Sequence, residues 1–143
     1  MALLEKQLEV KESNIPGAGK GLFTNKFIPK GARIVEYKGR IRTWKEVQHD
    51  DFNYYIFFVA ENHIIDASRH KKSFGRYIND AKGLQKINGL HNNAEFVIDG
   101  LKVFVQATKN IAAGAEIFVS YGKDYWAVIR KNKKIEERKE KES

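Results

Sequence analysis

The sequence predicts a mainly β domain made of several small, mostly antiparallel sheets with few short helices. Three observations predict it: β-branched and aromatic residues cluster in short runs, two-residue reversal signals separate neighbouring runs, and helix-start signals are scarce. The runs are Arg33-Ile34-Val35-Glu36-Tyr37, Tyr54-Tyr55-Ile56-Phe57-Phe58-Val59, His63-Ile64-Ile65-Asp66, Glu95-Phe96-Val97-Ile98, Lys102-Val103-Phe104-Val105 and Glu116-Ile117-Phe118-Val119. Their length and content read as strands. Asp99-Gly100 marks a tight hairpin with positive φ at the turn, and Glu61-Asn62 reverses the chain between another pair. Adjacent strands joined this way are antiparallel.

Thr43-Trp44-Lys45-Glu46 carries a capping box, in which the Thr43 hydroxyl and the Glu46 carboxylate satisfy the first free amides of a short helix running towards Asp51. A second helix is expected from Asp124, with Trp126, Ile129 and Ile135 on one face. Residues 81–92 contain Gly83, Asn88 and Gly89 with little periodicity and read as a loop. A weak internal echo relates two stretches, in which Gly31 and Gly114 each stand three residues before an Ile that starts a strand. Both glycines read as tight turns.

At 143 residues the chain is expected to be one domain spanning 1–143, large enough for a single core. The absence of cysteine excludes disulfides, thiolate zinc sites and a cysteine nucleophile. No apolar run approaches the ~20 residues of a membrane span, and the start Met1-Ala2-Leu3-Leu4-Glu5-Lys6 becomes charged too soon for a signal-peptide core. An intracellular location without membrane contact is therefore expected. The net charge of +8 suggests a polyanionic partner, but residues 127–143 hold seven Lys/Arg and four Asp/Glu, leaving +3 on a mixed-sign, basic tail and +5 on the body.

Hydrolase and P-loop motifs are lacking, and His49, His63, His70 and His91 show no metal-ligand spacing, so no metal site is expected. Three clusters remain. Gly17-Ala18-Gly19-Lys20-Gly21-Leu22-Phe23 suits either a structural turn or a loop whose backbone approaches a ligand closely. Arg76-Tyr77-Ile78-Asn79-Asp80-Ala81, with His91-Asn92-Asn93-Ala94-Glu95-Phe96 beyond it, is rich in asparagine, which reads a polar edge or ties chain segments together. Ser120-Tyr121-Gly122-Lys123-Asp124-Tyr125-Trp126 sets aromatics directly after a strand, as an end plug or as part of a site.

In this order the clusters resemble the SET-domain protein lysine methyltransferases over about residues 15–126. Gly19-Lys20-Gly21-Leu22-Phe23 is similar to the family's Gly-x-Gly motif, Val35-Glu36-Tyr37-Lys38-Gly39 to the strand with its first active-site tyrosine, and Ile65-Asp66-Ala67 to its middle signature. Arg76-Tyr77-Ile78-Asn79 resembles the opening of its Asn-His-Ser-Cys segment, with Asn93 as the second asparagine, and Glu116-Ile117-Phe118-Val119-Ser120-Tyr121-Gly122 its closing catalytic motif. Asn79-Asp80-Ala81-Lys82 departs from it, with Asp80 where many members have His. Without cysteine the chain is similar to compact viral and bacterial members that lack pre-SET and post-SET zinc modules.

The resemblance implies a SET-domain fold with a pseudoknot-like C-terminal segment, and transfer of methyl groups from S-adenosyl-L-methionine to a lysine of a protein substrate, a histone or another DNA-associated protein. It implies Tyr121 and Tyr37 as catalytic residues, and Gly19, Lys20, Gly21, Asn79, Asp80, Tyr121, Tyr125 and Trp126 at the cofactor. A side chain at Gly21 would clash with that cofactor. Tyr37, Phe96, Val119 and Tyr121 would line the lysine channel. Val119 and Phe96, standing where a tyrosine restricts some members to one methyl group, imply that methylation is not so limited. Location follows the source: cytoplasmic in a prokaryote, nuclear or chromatin-associated in a eukaryote or virus. Oligomeric state is left open, a dimer included. A histone tail suits this basic body only if Glu46, Asp50, Asp51 and Glu61 gather at the groove. Two competing readings are a SET-like scaffold without activity and a small basic β domain that binds nucleic acid through Trp44, Tyr54 and Tyr55.

Overall fold

The computed structural model describes residues 3–49, 53–82, 89–121 and 138. Its strands are β1 (Leu8–Glu12), β2 (Lys20–Thr24), β3 (Arg33–Glu36), β4 (Arg40–Arg42), β5 (Ile56–Ala60), β6 (His63–Asp66), β7 (Ala94–Asp99), β8 (Lys102–Ala107) and β9 (Glu116–Ile117). One short α-helix, α1 (Trp44–Val47), and two 3₁₀ turns, Glu5–Gln7 and Phe74–Tyr77, complete the described elements. The strands form three three-stranded sheets, ordered β1-β2-β9, β3-β8-β7 and β4-β6-β5, with antiparallel pairing throughout. This is the fold class that the sequence predicts.

All six predicted runs contain a strand, and β1, β2 and β4 are additional. β2 escapes a search for alternation because, as the middle strand of its sheet, it is buried on both faces from Gly21 to Thr24. β4 is a three-residue Arg-Ile-Arg strand, too short to show a pattern. The β7–β8 hairpin turns at Gly100-Leu101, one residue later than predicted: Asp99 pairs with Lys102 inside the ladder, and Gly100 supplies the positive φ of +64°. Glu61-Asn62 reverses the chain as predicted. The capping box is present in full, with the Glu46 amide donating to Thr43 Oγ1 at 3.3 Å and the Thr43 amide donating to Glu46 Oε1 at 3.0 Å. The helix from Asp124 and residues 83–88 of the predicted loop lie outside the described residues.

The internal echo becomes a physical contact. Ile28 and Ile111 form an antiparallel bridge, each amide donating to the other's carbonyl at 2.8 Å, so the two turns lie back to back. Both isoleucines join the main core with Leu22, Ile34, Ile78, Val105, Ile117 and Val119. A smaller core under the β4-β6-β5 sheet holds Tyr37, Ile65, Ala67 and Val103.

β9 is shorter than its predicted run for a reason that shapes the site. Phe118 and Val119 leave the sheet and bridge in parallel to Asn79 on one side and Ala94 on the other. The Asn93 side chain brackets this crossing, donating to the Glu116 carbonyl at 3.0 Å and accepting from the Phe118 amide at 2.9 Å. The closing motif is thus held between the two asparagine-rich segments. Among the described residues no helix is long and apolar enough to cross a membrane.

Candidate active site

The loop before β2 is built for close approach by a ligand. Its ends are joined by the Ser13 amide donating to the Gly19 carbonyl at 2.8 Å. Gly17 and Gly19 have φ of +78° and +76°, and open space lies where a Cβ would stand at either position. The backbone there is exposed as only glycine allows.

This loop forms one wall of a cleft of about 1060 Å³. Residues 75–80 form another, and Tyr37, residues 54–57, Phe96 and Tyr121 complete it. The resemblance implies this gathering, and the crossing of residues 118–119 between two segments is what carries Tyr121 to it.

Three rings make the apolar end. Phe57 and Phe96 meet edge-on at 5.1 Å between centroids, and Tyr37 meets Phe96 at 5.8 Å and Phe57 at 6.1 Å. The Tyr37 hydroxyl donates to the Tyr55 carbonyl at 2.5 Å, while the Tyr121 hydroxyl donates to the Ile78 carbonyl. A phenol whose proton is committed to a carbonyl meets an incoming amine as an acceptor.

Asp80 holds Tyr121 in place. It is 7% exposed, and its Oδ2 accepts from the Tyr121 amide at 2.9 Å. Its Oδ1 accepts from the Lys82 amide and from Asn92 Nδ2, at 2.9 and 3.0 Å. Asp80 therefore lines the cleft and fastens the segment that bears the phenol. Asn79 lines it too, with Nδ2 donating to the Lys20 carbonyl at 3.0 Å and so tying the two walls together.

Gly19, Lys20, Asn79, Asp80, Tyr37, Phe96 and Tyr121 thus come together at one cleft. Val119 does not, since it is fully buried in the main core. Gly21 does not line the cleft, and a Cβ there would stand 2.2 Å from Glu116 Oε2, a clash within this chain. Tyr125 and Trp126 lie outside the described residues, as do Asp50 and Asp51. Glu46 and Glu61 are not in the cleft wall. Tyr54 and Tyr55 are, whereas Trp44 pairs with Phe58 elsewhere, so the three aromatics considered for nucleic acid are divided.

Phe57 is a member of the cleft wall with no site role in the sequence analysis, and Tyr55 and Arg76, named there in other roles, join it. Alternation along β5, which turns Phe57 and Val59 inward and leaves Phe58 exposed, was the available signal. The Arg76 guanidinium stacks 4.2 Å from the centre of the Tyr55 ring and donates to the Ala67 and Ser68 carbonyls at 3.1 and 3.0 Å. Behind it, Asp66 accepts from the Ser68 amide, Arg42 Nη1 and Asn53 Nδ2. Burial pushes the Asp66 carboxyl up, but hydrogen bonds from Ser68, Arg42 and Asn53 outweigh it and hold the pKa at about 2.

The family model for the SET domain matches residues 19–122. The chain belongs to the SET-domain family. Histone-lysine N-methyltransferase set-17 of Caenorhabditis elegans is 33% identical over 119 residues, covering 81% of this chain and 41% of the relative. N-lysine methyltransferase KMT5A-A of Xenopus laevis is 24% identical over 128 residues, covering 82% and 37%. The chain therefore spans about two fifths of the length of these curated relatives. The methyltransferase domain of human PR domain-containing protein 2 superposes with a TM-score of 0.61 over 81% of this chain and 77% of that one, at 21% identity, a likeness of fold. In this SET domain, each of the three small sheets contributes to a cleft that gathers Gly19, Lys20, Tyr37, Asn79 and Tyr121 from separate motifs.

Proposed function

We propose that this SET domain is a protein-lysine N-methyltransferase that uses S-adenosyl-L-methionine. The observation that carries the reading is the pair of phenols, Tyr37 and Tyr121, whose hydroxyls donate to backbone carbonyls beside one cleft that also has a glycine cradle in its wall.

The residues present fit the cofactor. Gly17 and Gly19 leave a side-chain-free recess, and the cleft volume lies at the upper end of the usual ligand range of roughly 300–1,000 Å³, with room for a cofactor beside a lysine side chain. Gly19 and Lys20 would hold its methionine end and Asn79 its adenine or carboxylate region, and the family resemblance implies Tyr125 or Trp126 as the ring over its adenine. When bound it supplies a methyl group on a cationic sulfur, open to in-line attack by a neutral amine.

The chain's own residues prepare that amine. Tyr37, Phe57 and Phe96 enclose the lysine stem in apolar surface, and desolvation there lowers the lysine pKa from its usual ~10.4, favouring the neutral form. Tyr121, anchored through Asp80, accepts a hydrogen bond from the amine and directs its lone pair along the line of attack. The tyrosine and backbone carbonyl oxygens offer weak C–H···O contacts to a polarised methyl group.

The names of the relatives specify histone lysine in one case and N-lysine in the other. Both support a lysine presented by a protein as the substrate class, with a histone or another DNA-associated protein as the first candidate and a chromatin-associated location in a eukaryotic source. The test is radiolabelled methyl transfer to whole-cell extract and to purified histones, with calorimetric titration of the cofactor alongside. Cofactor binding and label on lysine are the expected results. Failure of both would sink the reading, whereas cofactor binding without transfer to any protein would point to an inactive scaffold.

A further inference from the structure

Glu116 is a buried carboxylate that the proposed chemistry leaves unused. It is 3% exposed, one of four buried polar or charged residues among those described, and it does not line the cleft. Neutral donors surround it: the Asn14 amide donates to Oε1 at 2.7 Å, and Ser13 Oγ and Asn79 Nδ2 donate to Oε2 at 2.7 and 3.4 Å. Ser13 and Asn14 open the glycine loop, while the second amide bond of Asn79 runs to Lys20 at the loop's other end. One carboxylate thus meets the start of the loop, and through Asn79 its end and the facing wall.

We infer that Glu116 is the positioning residue of the cofactor-side loop, and that Gly21 is glycine in order to admit it. The inference rests on the reading of that loop as the cofactor cradle. Its physical basis is the loop's own composition. Gly17 and Gly19 give the unbound loop many backbone states, and its apolar side chains select only weakly among them, since Ile15 is half-buried and Pro16 and Ala18 are exposed. Hydrogen bonds to an ionised acceptor in a buried setting are the strong ones, and two of these are short. They select the single arrangement in which the recess lies open. The steric evidence is independent of the hydrogen bonds: a Cβ on Gly21 would lie 2.2 Å from Oε2, 2.9 Å from Cδ of Glu116 and 3.2 Å from Ser13 Cβ, with the carboxylate already fixed by its donors. The same alanine placed at Gly19 would meet no neighbour and would instead be opposed by the positive φ there.

The apparent affinity for a ligand falls with the fraction of molecules whose loop is already in the competent state. Glu116→Ala and Gly21→Ala are therefore expected each to weaken S-adenosyl-L-methionine binding about tenfold, the size expected for loss of a charge-assisted hydrogen bond. The cofactor KM should rise in step, while kcat at saturating cofactor falls by less than about threefold, because a saturating ligand restores the ordered loop. The deciding measurement is the double variant. If Gly21→Ala acts by displacing the carboxylate, it adds less than about twofold in a Glu116→Ala background. Equal losses in the two backgrounds would overturn the inference, since Gly21 would then be answering to something other than Glu116.

Glu116→Gln keeps the shape, and hydrogen exchange at the Asn14 amide and along residues 13–20 provides a second readout that needs no cofactor. Exchange about tenfold faster than in the unaltered protein is expected; unchanged exchange would count against the peg. If the unaltered protein itself fails to bind the cofactor, the methyltransferase reading fails while the exchange experiment still decides whether Glu116 organises the loop.

Discussion

Removing the Asp80 carboxylate should damage stability and turnover together, by an amount that the structure lets us work out. Asp80→Ala strands three donors: the Tyr121 amide, the Lys82 amide and Asn92 Nδ2. Lys82 is exposed, so its amide regains water, which leaves two uncompensated donors in a part-buried setting. At about 1.5 kcal/mol each the loss is about 3 kcal/mol, a large share of the ~5–15 kcal/mol of a typical domain. For a chain of this length that is a fall in Tm of about 10 °C. Turnover should fall as well, because the Tyr121 amide bond to Asp80, like the hydroxyl bond to the Ile78 carbonyl, helps to place the phenol. Asp80→His should recover only part of either loss, since one imidazole cannot accept from all three donors at once. Thermal denaturation and methyl-transfer kinetics on the same preparations measure both quantities. An Asp80→Ala protein within about 2 °C of the parent and with parental kcat would refute the reasoning. Weakened cofactor binding at unchanged Tm would instead assign Asp80 to the cofactor.

The remaining predictions concern chemistry, product, acid stability and the helix cap. Tyr121→Phe should lower kcat by about a hundredfold, as loss of one group aimed at a reacting centre does, with calorimetric cofactor affinity within about twofold; near-parental turnover would remove the phenol from the mechanism. With Phe96 as the ring beside Tyr37, the product should pass beyond monomethyl-lysine, and mass spectrometry showing only one methyl group under excess enzyme would contradict this. Asp66 is held at about 2 in the folded protein, below its ordinary 3.8, so protonation favours the unfolded chain. Its contribution is complete above about pH 4 and disappears as pH falls to about 2; Asp66→Asn should flatten the decline of Tm across that window. Thr43→Ala should cost about 1 kcal/mol through loss of the capping box, readable in denaturant unfolding.

What the sequence determined by itself was local chemistry. Runs such as His63-Ile64-Ile65-Asp66 and the Thr43–Glu46 cap announce their structure because strand and cap formation depend on residues within a few positions of one another. The ordered motifs announced the family for the same reason, each being a short string with its own local geometry. β2 stayed hidden because a strand buried on both faces has no alternation to read, and the hairpin turn moved by one residue because ladder register, not the turn dipeptide, decided that Asp99 pairs with Lys102. Only the tertiary structure could sort the motif residues into those that face the cleft and those that hold it. Val119 went to the core, Gly21 came to abut Glu116, and Asp80 took up the Tyr121 amide 41 residues away in the chain. These assignments depend on which side of a crossing each residue occupies. The crossing of residues 118–119 between Asn79 and Ala94 is set by long-range packing that no short stretch of sequence encodes.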